Sequence, residues 1–222
     1  MRRSIPIILY MLCHIIISVS AQDYKYDAGG SLGLSSAYGD INQGQLMYNP
    51  KVSLSALLRV HRGLRWSHLY ELESLGLAGY SSEFDNKFID EKNYSFSSRL
   101  WQLSWSAEYN FLNYGWGYDY RNTSRLSPFL SLGVGVGVVS GNEQSALTLT
   151  IPIGVGIKYK FAPRWNFTAR MVFAKTFTDK ADGVKDPYNI ESDGMKNTDW
   201  YSNLSFSISY EFGKFCIKCY NQ

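Results

Sequence analysis

The chain is poor in the features that define several common protein classes. No apolar run of 18 or more residues follows the first twenty positions, and mean hydropathy is slightly negative at -0.21. A bundle of membrane-spanning helices is therefore excluded. Net charge is only +3, so charge alone points to neither nucleic acid nor an acidic partner. Histidine is scarce at 3 residues, and so is cysteine at 3. Cys13 lies within the N-terminal apolar run behind Tyr10-Met11-Leu12, which lacks the small residues of a lipoprotein signal. That leaves Cys216 and Cys219, a C-x-x-C pair close to the C-terminus. A zinc site would need two more ligands, and only His61 and His68 remain, far away in sequence. In an exported chain the pair forms a tail disulfide or stays as free thiols. A redox-active pair would open a helix in a βαβ context, and the surrounding text shows none.

What is present begins with an export signal. Arg2 and Arg3 precede an apolar segment from Ile5 to Ile17, and Val19-Ser20-Ala21 is a small-residue cleavage site before Gln22. The expected organisation is a signal peptide over 1–21, a single domain over 22–212 and a tail over 213–222.

The domain is a train of alternating segments. In Leu147–Phe161 every odd position is apolar, while the even positions hold Thr, Pro, Gly and Lys. A strand turns successive side chains to opposite faces, so this run has one greasy face and one small or polar face. Similar alternation predicts strands at Asp27–Tyr38, Lys51–Arg62, Leu64–Ala78, Phe96–Leu112, Ser127–Val139, Arg164–Thr176 and Asn203–Phe212. Within Leu64–Ala78 the residues Leu69, Leu75 and Leu77 break the pattern.

Eight long strands with an apolar face, together with aromatics at 16%, predict an all-β fold. The expected form is an eight-stranded antiparallel transmembrane barrel of the bacterial outer membrane. A soluble sandwich also alternates, but its outer faces carry water and charge. Here the second faces are Gly, Ser and Thr with sparse charges of both signs: Glu71, Glu73, Arg99, Glu108, Lys158, Arg170 and Glu211. An eight-stranded barrel has an interior just wide enough for side chains, so a filled lumen is expected and not a solute pore. With both termini in the periplasm, the tight turns at Arg62-Gly63 and Ala162-Pro163 fall there too. The longer Asn113–Leu126 falls on the same side.

Candidate chemistry is thin. His61 sits at a tight turn, and His68 falls on the face assigned to lipid. Neither has a serine and a carboxylate at a spacing that would make a nucleophile and base. Gly133-Val134-Gly135-Val136-Gly137 alternates inside a strand and opens no helix, so it is not a phosphate loop. The acidic segment around Asp179, Asp182 and Asp186 fits no EF-hand spacing. No catalytic residue, cofactor or metal ligand is expected.

Several stretches together carry a resemblance: SSAYGDIN (Ser35–Asn42), EYNFLNY (Glu108–Tyr114), SPFLSLGVG (Ser127–Gly135), the long IPIGVGIKYKFAPRWNFTARMVFAKTFTD (Ile151–Asp179) and the end DWYSNLSFSISYEF (Asp199–Phe212). In that order the chain resembles Bacteroidetes outer-membrane barrels of the PorG type, a component of the type IX secretion system. The resemblance implies a non-enzymatic barrel that contacts a periplasmic ring formed by a lipoprotein and its partner. Periplasmic elements would then be the docking surface, with Tyr118, Tyr120, Arg121, Arg125 and Lys218 as contacts, since Tyr and Arg are enriched at interface hot spots. Two other classes stay open: a barrel whose outer loops, Gly79–Asn93 and Phe177–Asp199, bind something extracellular, and a lipid-modifying enzyme.

Overall fold

The computed structural model describes residues 24–38, 49–80, 95–117, 122–140, 145–177 and 200–214. They form eight strands: β1 (Tyr24–Tyr38), β2 (Lys51–His61), β3 (Trp66–Tyr80), β4 (Ser95–Asn110), β5 (Leu126–Ser140), β6 (Ser145–Ala162), β7 (Trp165–Thr176) and β8 (Trp200–Lys214). Each pairs antiparallel with its sequence neighbour, and β1 closes the barrel against β8 from Tyr24↔Lys214 to Tyr38↔Trp200. Closure removes every free sheet edge, which is what permits a sheet to cross a bilayer.

β1, β5, β6 and β8 run further than alternation alone suggests, β2, β4 and β7 fall one or two residues short of the expected bounds at one end, and β3 is shifted by two. β1 starts at Tyr24 instead of Asp27, and β8 continues to Lys214, two residues into the segment assigned to the tail. Hydrogen bonding around the closed ring extends pairing past the last alternating residue. Strands of 11 to 18 residues exceed the about 9–11 that a tilted strand needs to cross a hydrocarbon core.

The two faces sort as the alternation requires. β5 alternates exposed and buried without a break along its whole length. Leu132, Val134, Leu149, Ile153, Val155, Leu103, Phe206 and Ile208 all point outward and are exposed. A soluble protein would not leave such a band in water; lipid is the solvent that makes it stable. Aromatics cluster outward near the end where the termini lie. Trp66 packs on Tyr109 at 5.0 Å, Tyr26 on Phe212 at 5.7 Å, and Trp165 on Tyr210 at 5.1 Å. This is an interfacial girdle.

Two expectations about the inner face change. Arg99 has the parity of Trp101 and is exposed on the outer face, donating to Ser74 Oγ at 3.2 Å. The pattern-breaking Leu69, Leu75 and Leu77 of β3 are buried inside. Leu75 and Leu77 join Leu100, Val139, Val172 and Tyr201 in an apolar cluster at the loop end of the lumen. The interior is thus two-tiered, apolar toward the long loops and ionic toward the termini.

Candidate functional site

The residues with chemistry lie in three places: the ionic tier of the lumen, the mouth beside it, and the outer surface of that mouth.

The ionic tier is built by inward positions of β1, β2, β4, β6 and β8. Arg59 is its centre. Its Nη1 donates to Asp27 Oδ2 at 2.8 Å and Oδ1 at 3.1 Å, and its Nε donates to Glu108 Oε2 at 2.6 Å. Lys158 Nζ donates to the same Glu108 oxygen at 2.7 Å, and Ser67 Oγ reaches it at 3.0 Å. Lys160 Nζ pairs with Glu211, whose Oε1 also accepts from Asn166 Nδ2 at 3.0 Å. Three carboxylates therefore face three cations, all buried. A buried charge is tolerated only when paired and hydrogen-bonded, and here each one is. Further up the lumen Arg170 holds Glu71 and lies 3.6 Å from Glu73. Gln102 Nε2 bridges Glu73 at 3.0 Å and Tyr201 Oη at 2.8 Å.

The filling is tight. A Cβ on Gly156 would lie 2.8 Å from the Phe129 ring and 2.3 Å from the Ala169 carbonyl oxygen. The absent side chain lets Phe129 cross the lumen, where its ring receives Lys158 Nζ at 4.6 Å from the centroid. The β5 glycines likewise fit under neighbouring strands: a Cβ on Gly133 would lie 2.2 Å from the Trp105 carbonyl oxygen.

His61 stands at the edge of this tier. Its Nε2 lies 3.5 Å from Asp27 Oδ2 and has no hydrogen-bond partner. Asp27, His61 and Glu211 bring three potential ligand atoms within 4.8 Å of one another. Their chemistry does not fit a cation. Both oxygens of Asp27 already accept from Arg59, and Glu211 is held by Lys160. A divalent ion would add charge beside two fixed cations. His68 points outward and stacks on Trp105 at 5.7 Å. Neither His61 Nε2 nor His68 Nδ1 contacts a serine hydroxyl, the contact that nucleophilic catalysis needs.

The β4–β5 connection covers the mouth of the ionic tier. Phe111 N donates to the Pro128 carbonyl at 3.0 Å, Tyr114 N to Leu64 O at 3.0 Å, and Ser124 N to Asn113 O at 2.8 Å. Tyr114 and Ser124 form a parallel bridge. The Tyr114 ring is buried, and its hydroxyl donates to Asn166 Oδ1 at 2.7 Å. Burial, reinforced by the Glu211 carboxylate, pushes its pKa well above the ordinary phenol range. The described residues of the connection, 111–117 and 122–125, therefore form a folded plate pinned to the barrel.

Arg125 is the one expected contact that falls among the described residues. It is exposed on that plate, with its guanidinium 4.0 Å from the Trp116 ring centroid and its Nε donating to the Trp116 carbonyl at 3.0 Å. Tyr118, Tyr120, Arg121 and Lys218 lie outside the described residues, as do Cys216 and Cys219. Sequence reasoning missed Trp116, since a lone tryptophan in a Gly-rich connection carries no periodicity. Its only signal is the company of Arg125 nine residues on.

On the outer surface of the same end, Arg164 in the β6–β7 turn donates Nε to Tyr24 Oη at 2.7 Å and Nη1 to Tyr210 Oη at 2.9 Å. The Tyr210 hydrogen bond, with Tyr24 behind it, raises the guanidinium pKa above its ordinary value.

A family model described as Domain of unknown function (DUF6089) matches residues 5–221. No curated protein matches the chain. Among solved structures, Neisserial surface protein A is similar at 11% identity and a TM-score of 0.51, covering 84% of this chain and 97% of that one. The N-terminal β-barrel domain of Pseudomonas aeruginosa OprF has 12% identity and a TM-score of 0.46, covering 86% and 100%. At 11% identity the likeness to Neisserial surface protein A is one of fold alone.

Proposed function

This chain belongs to the DUF6089 family, and we propose that it is a non-enzymatic outer-membrane barrel that docks a periplasmic protein assembly. The assembly is the ring of a type IX secretion system, a lipoprotein with its partner. The observation that carries this reading is the folded plate at the terminal end. A filled lumen leaves no solute path, so activity moves to the ends. The plate presents an exposed Arg125 stacked on Trp116, a rigid cation–aromatic pair of the kind that anchors interfaces. The resemblance to PorG-type barrels names the partner.

The test is co-purification of the ring lipoprotein and its partner with the barrel. Arg125→Glu and Trp116→Ala remove the exposed pair while sparing Tyr114, which pins the plate. Loss of both ring proteins with retained barrel folding supports docking. Full retention by both variants overturns it.

A second reading has its own observation. The segments joining strands at the far end, residues 39–50, 81–94, 141–144 and 177–199, hold twelve Asp and Glu against five Lys and Arg. Such loops suit a cationic extracellular ligand. Surface binding lost on trimming 81–94 or 177–199, with ring co-purification intact, favours that reading.

A further inference from the structure

The two ends of the barrel are oppositely charged. The segments that join or flank the strands at the terminal end, residues 22–26, 62–65, 111–125, 162–164 and 213–222, hold eight Lys and Arg against two Asp. The opposite end is acidic by seven charges. Among the described residues the terminal end displays Lys25, Arg62, Arg65, Arg125 and Arg164, whereas its carboxylates, Asp27, Glu108 and Glu211, are all inside the lumen and paired. Among the described residues the outward charge at this end is therefore cationic, and the terminal-end segments as a whole carry a net +6.

One of these arginines differs from the rest in how it is held. Arg62 and Arg65 of the β2–β3 turn are exposed, and Arg65 leans on the docking plate through Asn113 Oδ1 at 2.8 Å. Arg164 is half-buried and gripped by two girdle tyrosines. The Tyr24 ring lies under its guanidinium at 4.7 Å, and the hydroxyls of Tyr24 and Tyr210 accept two of its N–H groups. A guanidinium has five N–H donors, so three take no acceptor among the described residues. Because the Tyr210 hydroxyl accepts from Arg164, its own proton is free to be donated onward. Side by side these are donors without an acceptor, a combination that suits an anion.

The height of the group narrows the anion. Trp165 packs on Tyr210 at 5.1 Å and on Phe161 at 6.4 Å, and Phe161 and Trp165 are exposed on the outward face of the girdle. Girdle aromatics sit at the level of lipid headgroups. We propose that Arg164 and Tyr210, with Tyr24 fixing the guanidinium, form a binding site for the phosphodiester of an anionic phospholipid in the periplasmic leaflet. The basic end of the barrel supplies the long-range attraction, and the fixed guanidinium supplies the contact. The site stands apart from the docking plate and does not rest on the docking reading.

The test uses the full mature barrel in detergent, with folding checked by the heat-dependent shift of its gel band. Native mass spectrometry then reads retention of phosphatidylglycerol against phosphatidylcholine. The wild type retains phosphatidylglycerol about fivefold better, the effect of about one surface arginine on an anionic lipid. Arg164→Gln lowers phosphatidylglycerol retention about fivefold, to the level of phosphatidylcholine, as loss of the one arginine that holds the anionic lipid does. Tyr24→Phe keeps every charge but releases the guanidinium, and lowers retention about threefold, within the range of one lost hydrogen bond. Arg62→Gln, on a different turn, leaves retention within about twofold. Equal losses in Arg62→Gln and Arg164→Gln overturn the proposal in favour of diffuse attraction. Displacement of the lipid by millimolar inorganic phosphate overturns it in favour of a free-anion site. Unchanged lipid retention in Arg164→Gln, coupled with loss of an acidic periplasmic protein, makes the surface a protein contact instead.

Discussion

Glu108→Gln is the sharpest probe of the ionic lumen. The glutamate is fully buried and takes hydrogen bonds from Arg59, Lys158 and Ser67 on one oxygen. Glutamine keeps the shape and removes the charge. Arg59 and Lys158 are 2% and 1% exposed, so the tier would hold three buried cations against two carboxylates. Removing one partner of a buried ion pair costs about 3–5 kcal/mol, a shift of about two to four decades in the unfolding constant. Lys158→Met in the same chain restores neutrality, so the double variant should recover about 1–3 kcal/mol of that loss. The assay is urea unfolding of the barrel in lipid vesicles, followed by tryptophan fluorescence and compared at constant m-value. A Glu108→Gln cost below about 1 kcal/mol, or strict additivity of the two substitutions, refutes the charge-balanced lumen.

Four further outcomes follow from the same geometry. Gly156→Ala must displace Phe129 or the β7 backbone, and overpacking of this kind lowers stability by about 1–3 kcal/mol in the same unfolding assay. Leu100→Ala, in the apolar tier, opens a cavity and costs about 2–5 kcal/mol. Ile153→Arg, outward at the middle of β6, costs about 2–4 kcal/mol in bilayers, as a cation near the midplane does. Tyr114 has a folded pKa above its ordinary value of 10.0, so its contribution is complete below pH 10 and is lost as pH rises toward the folded value. Tyr114→Phe removes that loss, and its stability should fall less steeply above pH 10 than that of the wild type.

The sequence alone determines which residues face lipid. Alternation has a period of two, and a one-residue slip would turn Leu149, Ile151, Ile153 and Val155 into the lumen, so the hydrophobic set leaves one register choice per strand. Strand number follows from counting such runs, and the side of the tight turns from their lengths. Pairing inside the barrel is a different matter. Arg59 meets Asp27 across 32 positions and Glu108 across 49, and Arg170 meets Glu71 across 99. The Asp27 contact is a cross-strand pair of the β1–β2 hairpin, whereas the other two join strands that are not neighbours and arise only when the barrel closes and brings the inward faces together, which no local pattern encodes. The same closure explains Leu75 and Leu77, which read as faults in a strand and become the apolar cap of the lumen. It also explains Tyr114, whose Gly-rich surroundings suggest a loop, yet which is buried because the mouth it covers exists only in the closed barrel. Sequence therefore decides what each strand shows to the membrane, and tertiary structure decides which buried charges find one another and what is left exposed at the two ends.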